Sequence, residues 1–285
     1  MNSQDFNVIF NYTPDEHPGI DSMNLEIDSM NLEIAQNKII DFIRNETRKA
    51  GVDGAVIGIS GGIDSALAAT LTVKALGKDK VLGIHMPEFG LTPAEDSRDA
   101  KILADWLGIE FKTVDISGII SAFMAVVPDS ESADRLCKGN LKARTRMSLL
   151  YFHANHMNRM VMGTGNKTEI LLGYFTKYGD GGVDLEPIGG LYKTEVWELS
   201  RRLGIPDPLI TKKPSAGLWA GQTDEADLGI SYVKVDEVLK RLEMNETPET
   251  IMNTLEISTE QLNSVMKRIE RSEHKRKTPP VPPSN

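Results

Sequence analysis

The chain has one cysteine, Cys137, among 285 residues, so it can form no internal disulfide and no cysteine-rich zinc site. A reducing, cytoplasmic setting is the expectation. Positive charge is in deficit: 32 Lys and Arg against 41 Asp and Glu leave a formal charge of −9 and a pI near 5.2. A broad basic face for nucleic acid is therefore not expected, although local basic clusters can still hold small anions. No apolar run approaches the roughly 18 residues of a membrane span, and no basic segment leads into a long apolar one. Neither a nucleic acid nor a membrane is an expected partner. With 40% hydrophobic and 26% charged residues, the composition is globular, with material for one sizeable core or two small domains.

Residues 1–20 lack sustained periodicity, and DSMNLEI at 21–27 repeats at 28–34. A seven-residue tandem is too short for a solenoid repeat of about 20 residues or more, and residues 1–30 read as a flexible extension. From Leu32 the apolar positions Leu32, Ile39, Ile40 and Ile43 share one helical face, and Gly51 marks the stop. GAVIGIS is a short buried strand, Asp64 to Leu76 a helix ended by Gly77, and KVLGIHMP a second strand. In LTPAEDSRDAKILADWLG, Thr92 is the expected N-cap, with Pro93 at the first helical position and Glu95 as capping-box partner. EFKTVDI is the third strand, Ser132 to Asn158 is mostly helical, and RMVMGTG is the fourth strand. Strands alternating with helices predict an α/β fold: a doubly wound, mostly parallel sheet with helices on both faces and a ligand crevice at the strands' carboxyl ends. Two glycine-rich turns, after Ile59 and after Met162, fall on that edge. Residues 206–230 are irregular, as a mobile loop over a site would be. Helices are expected over 232–243 and 259–271. The organisation is one domain over 31–276 with a frayed, proline-rich tail over 277–285.

The first turn carries its own chemistry. A strand that delivers Ser60, Gly61 and Gly62 into a helix starting near Asp64 aims free backbone N–H groups and a positive helix end at one spot. The glycines allow close approach of a ligand, and the Ser60 and Ser65 hydroxyls can donate to phosphate oxygens. The competing structural reading is a plain turn in which Asp64 or Ser60 caps the helix. The lysine of a GxxxxGK[ST] loop is missing, as is a GxGxxG pattern.

The sequence SGGIDS resembles the SGGxDS motif of the N-type ATP pyrophosphatases, which cleave ATP between the α and β phosphates. An acid beside pyrophosphate is repulsive unless a hard cation lies between them. On this resemblance, Gly58, Ile59, Ser60, Gly61, Gly62, Ile63, Asp64 and Ser65 form the ATP-binding stretch, and Asp64 is a Mg²⁺ ligand. KGNLKARTRM (138–147), GTGNKTE (163–169), GYFTKYGDGGVDLEPIGGLYKTEV (173–196) and SEHKRKTP (272–279) narrow the choice. Together they are similar to ammonia-dependent NAD⁺ synthetases, over roughly residues 32–279. The resemblance implies adenylation of the nicotinate carboxylate of deamido-NAD⁺ by ATP, then displacement of AMP by ammonia, with pyrophosphate as the other product.

Carried over residue by residue, the resemblance makes Glu169 the second metal-binding carboxylate and Thr164, Lys193 and Ser215 contacts to ATP. Ser215 stands where the family often has Thr, and the hydroxyl survives that change. Arg144, Lys177, Asp184, His274 and Lys275 fall on deamido-NAD⁺ positions. Taken alone, Lys193 and the EHKRK run would be solvated surface charges, and Glu169 an ordinary first-turn acid. Asp180 is a candidate to hold ammonium or accept its proton, and with Lys193 it completes the expected catalytic pair. The family also implies a homodimer with the dinucleotide near the interface, and the apolar helical stretch MSLLYFHANHM (147–157) serves an interface or an internal core equally well. No glutaminase context surrounds Cys137, which reads as a small packed thiol, so free ammonia is the expected nitrogen source. The alternatives are another N-type pyrophosphatase acting on a purine nucleotide or tRNA base, and a non-catalytic nucleotide sensor. In a passive adenine binder, Asp64 and Glu169 would be surplus.

Overall fold

The computed structural model describes residues 29–282 other than 216, 218 and 220. The extension expected over 1–30 lies outside the described residues except for Ser29 and Met30, and so does the first DSMNLEI copy. The last three residues of the expected tail are outside them too. Helix α1 (Ser29–Ala50) takes in residues 29–34 of the second copy and stops before Gly51, whose φ is 65°.

Four strands follow: β1 (Gly54–Gly58), β2 (Val81–His85), β3 (Glu110–Thr113) and β4 (Arg159–Met162). They pair in the order β3-β2-β1-β4, every pair parallel. Parallel strands need crossovers, supplied by α2 (Ile63–Leu76), by α3 (Ala94–Leu107), and by α4 (Ser117–Val126) with α5 (Arg135–His156). Side chains alternate across the sheet with period two. Ala55, Ile57 and Val81 join a core with Leu32, Ile43, Leu67, Leu71 and Leu103 on one face. Val56, Leu82, Ile84 and Val161 join Ile116, Leu150 and Ala154 on the other. The doubly wound, mostly parallel sheet expected from the sequence is present, with every described strand pair parallel.

The chain steps outward from β1 to β2 to β3, then returns to place β4 on the other side of β1. That reversal opens the crevice between the carboxyl ends of β1 and β4, where ligands enter such sheets. Beyond β4 come α6 (Lys167–Leu172), α7 (Lys193–Arg202), α8 (Asp207–Thr211), α9 (Asp224–Leu228), α10 (Tyr232–Glu243), α11 (Pro248–Leu255) and α12 (Thr259–Arg271). A third apolar cluster, with Tyr232, Val235, Leu239, Ile251, Val265 and Ile269, binds α10–α12 to Leu172 and Tyr192. No described helix is long and apolar enough to cross a membrane.

Three local expectations need correction. Thr92 does not cap α3: Pro93 is the N-cap, no side chain caps the helix, and the Thr92 hydroxyl accepts from the Glu88 N–H at 2.9 Å instead. That bond folds the chain back before the helix begins, so it removes the reciprocal partner of Glu95. The 206–230 segment is not wholly irregular, since α8 and α9 lie within it. Cys137 is exposed rather than packed or partly buried, on the first turn of α5, where its N–H donates to the N-cap Asp134 (2.7 Å).

Candidate active site

After β1, the chain turns through Ser60, Gly61 and Gly62. Gly61 has φ +86° and packs against the start of α3, where an added Cβ would sit 2.4 Å from the Asp96 carbonyl oxygen. The Ser60 N–H donates to Ser65 Oγ (3.2 Å), the Gly62 N–H to Ser60 Oγ (3.1 Å) and the Ser65 hydroxyl to Gly62 O (2.9 Å). The two hydroxyls, 3.1 Å apart, therefore brace the turn. Neither Asp64 nor Ser60 caps α2: Gly62 is its N-cap and no side-chain cap bond is made. The first N–H groups of α2 keep their capacity for an anion.

The second turn, Gly163–Asn166, opens α6. Asn166 is fully buried and forms a capping box with Glu169: its Oδ1 accepts the Glu169 N–H (3.0 Å), and Glu169 Oε2 accepts the Asn166 N–H (3.3 Å). Its Nδ2 donates to Asp64 Oδ1 at 2.9 Å, which ties the two turns together. Lys193, at the first position of α7, is 1% exposed. Its Nζ is bonded to Asp64 Oδ2, lies 3.8 Å from Glu169 Oε1 and sits 5.2 Å over the Tyr232 ring. Asp236 of α10 fixes where both helices start. Its Oδ1 accepts from the Thr168 hydroxyl (2.5 Å) and its Oδ2 from the Thr194 N–H (2.8 Å), while Thr168 Oγ1 accepts the Lys193 N–H (3.0 Å). Asp224 joins the cluster, accepting from the Tyr232 hydroxyl (2.9 Å) and the Tyr174 hydroxyl (3.2 Å).

The electrostatics follow from one ammonium among several acids. Burial alone would lower the Lys193 pKa, but Asp64, Glu169 and Asp224 outweigh it and hold it above the usual value. Lys193 is a cation near neutrality. Burial, and next the charge of Asp64, push Glu169 well above the carboxylate range, with Lys193 opposing. Asp64, Glu169 and Asp224 thus share a single ammonium. Among the described residues no group of three or more His, Cys, Asp or Glu gathers as a metal centre; the two expected oxygen donors, Asp64 and Glu169, one from each turn, both face the Lys193 ammonium.

Glu186 crosses beneath the second turn, accepting the Gly165 N–H at 3.0 Å. Burial raises its pKa to about 8, opposed by that N–H and reinforced by Asp180. The folded value lies above that of the unfolded chain, so the stability it contributes is complete below about pH 4.5 and is lost as pH rises toward 8. Glu186→Gln is expected to unfold at the same temperature as the parent near pH 4.5. At pH 9 it should be more stable by roughly 1–3 kcal/mol, read by thermal melts; a difference independent of pH would refute the assignment.

Of the expected dinucleotide positions, four form one patch. Arg144 Nε and one terminal nitrogen donate to Lys177 O (3.3 Å each), and Lys177 Nζ donates to His274 O. Lys275 Nζ donates to Gly173 O (2.7 Å) and Phe175 O (2.6 Å). Arg276 holds Ile170 O and Leu171 O at the end of α6. The basic run thus anchors carbonyls at a helix C-terminus rather than standing free in solvent. Asp184 is exposed but already accepts from the Tyr151 hydroxyl (2.9 Å) and the Val161 N–H (2.8 Å). Asp180 accepts the Thr176 N–H (2.9 Å). Desolvation of its carboxyl raises its pKa, opposed by the hydrogen bonds from Thr176 and by the charge of Lys275. Thr164 is half-buried in the second turn. Ser215 is exposed, and its hydroxyl accepts the Gly217 N–H at 3.1 Å.

Sequence reasoning missed Asn166, Asp224, Tyr232, Asp236 and Glu186. Only Asn166 had a local signal, the N-x-x-E spacing of a capping box in GTGNKTE.

The NAD synthase family model matches residues 35–279. An NH(3)-dependent NAD(+) synthetase of Methanosarcina mazei is 81% identical over 248 residues, which are 87% of this chain and 97% of that protein. Among solved structures, NMN synthetase from Francisella tularensis superposes with a TM-score of 0.78 at 36% identity, covering 88% of this chain and 98% of that one. The NH3-dependent NAD synthetase of Campylobacter jejuni, solved with a nitrate ion, gives 0.74 at 34%, covering 88% and 99%.

Proposed function

Because the chain belongs to the NAD synthase family and catalyses ATP-dependent amidation of deamido-NAD⁺ by ammonia to NAD⁺, we propose that this reaction runs in the crevice between its two glycine turns. The observation that carries the reading is the buried Lys193 ammonium, held at the switch point between the carboxylates of Asp64 and Glu169.

In the first step, a nicotinate carboxylate oxygen attacks the α-phosphorus of ATP and the bond to pyrophosphate breaks. The stretch Gly58–Ser65 offers the free N–H groups of α2 to the phosphates. Lys193, a compact charge that stays protonated, stabilises the charge that develops on the departing pyrophosphate. Thr164 and Ser215 contribute hydroxyl contacts to ATP. Asp64 and Glu169 would fit a hard divalent cation: both are oxygen donors, and with Asp224 they share the single Lys193 ammonium. When bound there, Mg²⁺ supplies counter-charge to the polyphosphate. Pyrophosphate release by the purified protein tests this step: it should require Mg²⁺, deamido-NAD⁺ and ATP together, and Asp64→Asn should abolish the Mg²⁺-dependent release. Unchanged Mg²⁺-dependent turnover in Asp64→Asn would sink the assignment.

In the second step, ammonia attacks the adenylated carbonyl carbon, AMP leaves, and the surplus proton goes to a base. Arg144, Lys177, Asp184, His274 and Lys275 hold the dinucleotide, and Asp180 takes the ammonium proton. Asp180→Asn is expected to raise the KM for ammonium about tenfold at neutral pH and to recover as alkali supplies free ammonia. An unaltered ammonia saturation curve and pH profile would reject that role. Ammonium chloride should support synthesis, and glutamine alone should not.

The functional unit is a homodimer. Ile119 and Phe123 of α4 and Phe152 of α5 are exposed, and they line a groove of about 650 Å³ that Arg144 also borders. A second copy would cover this apolar face beside the dinucleotide patch; sedimentation equilibrium reads two chains per particle if so, and one if not. We place the protein in the cytoplasm, where ATP and a reducing environment suit both the reaction and the exposed Cys137 thiol; fractionation of the source cells checks this.

A further inference from the structure

We propose that Lys212 is a positioning residue that clamps the phosphate turn from behind and ties it to the segment carrying Ser215. The inference rests on the reading of Gly58–Ser65 as the seat of the ATP phosphates. Lys212 directly follows α8. Its Nζ donates to Gly61 O (3.1 Å) and Asp96 Oδ1 (2.9 Å), and it also pairs with the Asp99 carboxylate. One ammonium thus joins three parts of the chain: the turn, the start of α3, and the strand of loop that reaches Ser215 three residues later.

Peptide geometry gives these contacts their effect. In a trans peptide the C=O of one residue and the N–H of the next point in opposite directions. Holding Gly61 O toward Lys212 and α3 therefore turns the Gly62 N–H to the opposite side, where it meets Ser60 Oγ. The peptide two residues earlier is held in the same sense. His85 Nδ1 lies 2.8 Å from Ile59 O, and the Ser60 N–H faces Ser65 Oγ. A carbonyl only accepts, so His85 Nδ1 carries a proton; its Nε2 reaches Ser97 Oγ of α3 at 2.9 Å. Two cross-chain contacts, one from Lys212 and one from His85, thereby set two peptide planes of the turn.

The charges point the same way. Asp96 and Asp99 lie beside a turn that must receive a polyanion, and Lys212 is their shared counter-charge. Losing it frees the Gly61 peptide and also exposes the phosphates to two uncompensated carboxylates. Both effects weaken ATP binding, and neither acts on ammonia.

Lys212→Met, assayed for NAD⁺ formation with each substrate varied in turn, is expected to raise the KM for ATP about tenfold or more. The KM values for deamido-NAD⁺ and ammonium should stay within about twofold, and Lys212→Arg, which keeps the charge, should restore the KM for ATP to within about threefold. If Lys212→Met leaves the KM for ATP unchanged while Gly61→Ala raises it, the clamp is overturned and the phosphate turn stands. If neither variant changes the KM for ATP, the phosphate-turn reading fails and the clamp with it. A uniform rise in all three KM values marks general loosening and also overturns the clamp. Where Lys212→Met does not fold, Lys212→Gln, shorter and uncharged but polar, carries the same comparison.

Discussion

Lys193→Met is expected to lower kcat/KM for NAD⁺ synthesis by about 10²–10³-fold, the usual loss when a preorganised charge at a transition state is removed. The loss should fall mainly on kcat, since Lys193 acts most strongly on charge that develops as pyrophosphate departs. The same substitution should destabilise the fold by about 3 kcal/mol in urea titrations, because it leaves buried acids without their cation. Asp64 would lose its ion pair and Glu169 its nearest positive charge, while Asp224 remains close enough to repel both. Lys193→Arg should not rescue activity. A planar guanidinium cannot occupy the slot of a 1% exposed ammonium packed over Tyr232 without displacing its neighbours. Full activity in either variant would remove Lys193 from the chemistry.

Gly61→Ala carries the second large effect. At φ +86° an L-residue is strained, and here the added Cβ would also lie 2.4 Å from the Asp96 carbonyl oxygen and 3.0 Å from its Cα. Those are backbone atoms of a packed helix and cannot swing aside. We expect a loss of about 2–4 kcal/mol in stability and a rise of at least about 30-fold in the KM for ATP, as the turn moves off α3 and Lys212 loses Gly61 O. Gly77→Ala is the control: φ is again +86°, but nothing lies within 4 Å of the added atom. It should cost about 1–2 kcal/mol from strain alone and leave the KM for ATP unaltered. Equal effects of the two substitutions on the KM would show that contact with α3 does not matter to the turn.

How much of this could be read from the sequence depends on the range of the forces involved. The strands, the two glycine turns and the helices over 232–243 and 259–271 were legible because periodicity and glycine placement are local signals. The doubly wound topology followed from the alternation of strands with helices. Helices α4, α7 and α11 went unread. The meeting of Asp64 with Lys193, 129 residues apart, came only from resemblance to a family, because no local pattern encodes it. Tyr232, Asp224 and Asp236 had no signal: they come from the helical layer beyond the sheet and matter through the charges they balance or orient. Cys137 was misread for a statistical reason, since unpaired cysteines are usually buried, whereas this one is exposed on the first turn of α5. Thr92 was misread because a hydroxyl before a helix has two competing acceptor roles, and here the Glu88 N–H takes it.

The NMN synthetase among the similar structures makes substrate length a further point to measure, since the patch proposed for the dinucleotide lies around Arg144, Lys177, His274 and Lys275. Nicotinate mononucleotide offers the same carboxylate without the adenylate half. If that patch binds the dinucleotide, the shorter substrate should react with a higher KM, and Arg144→Ala should narrow the difference between the two.

The central claim is that ATP is cleaved at its α-phosphorus by the carboxylate of deamido-NAD⁺. Deamido-NAD⁺ labelled with ¹⁸O in that carboxylate tests it directly, because the bond formed in adenylation leaves one labelled oxygen on phosphorus when ammonia displaces AMP. After one turnover with ATP, Mg²⁺ and ammonium chloride, mass spectrometry should find one ¹⁸O in AMP, one in the amide of NAD⁺ and none in pyrophosphate. Labelled inorganic phosphate with ADP would mean attack at the γ-phosphorus and would contradict the account.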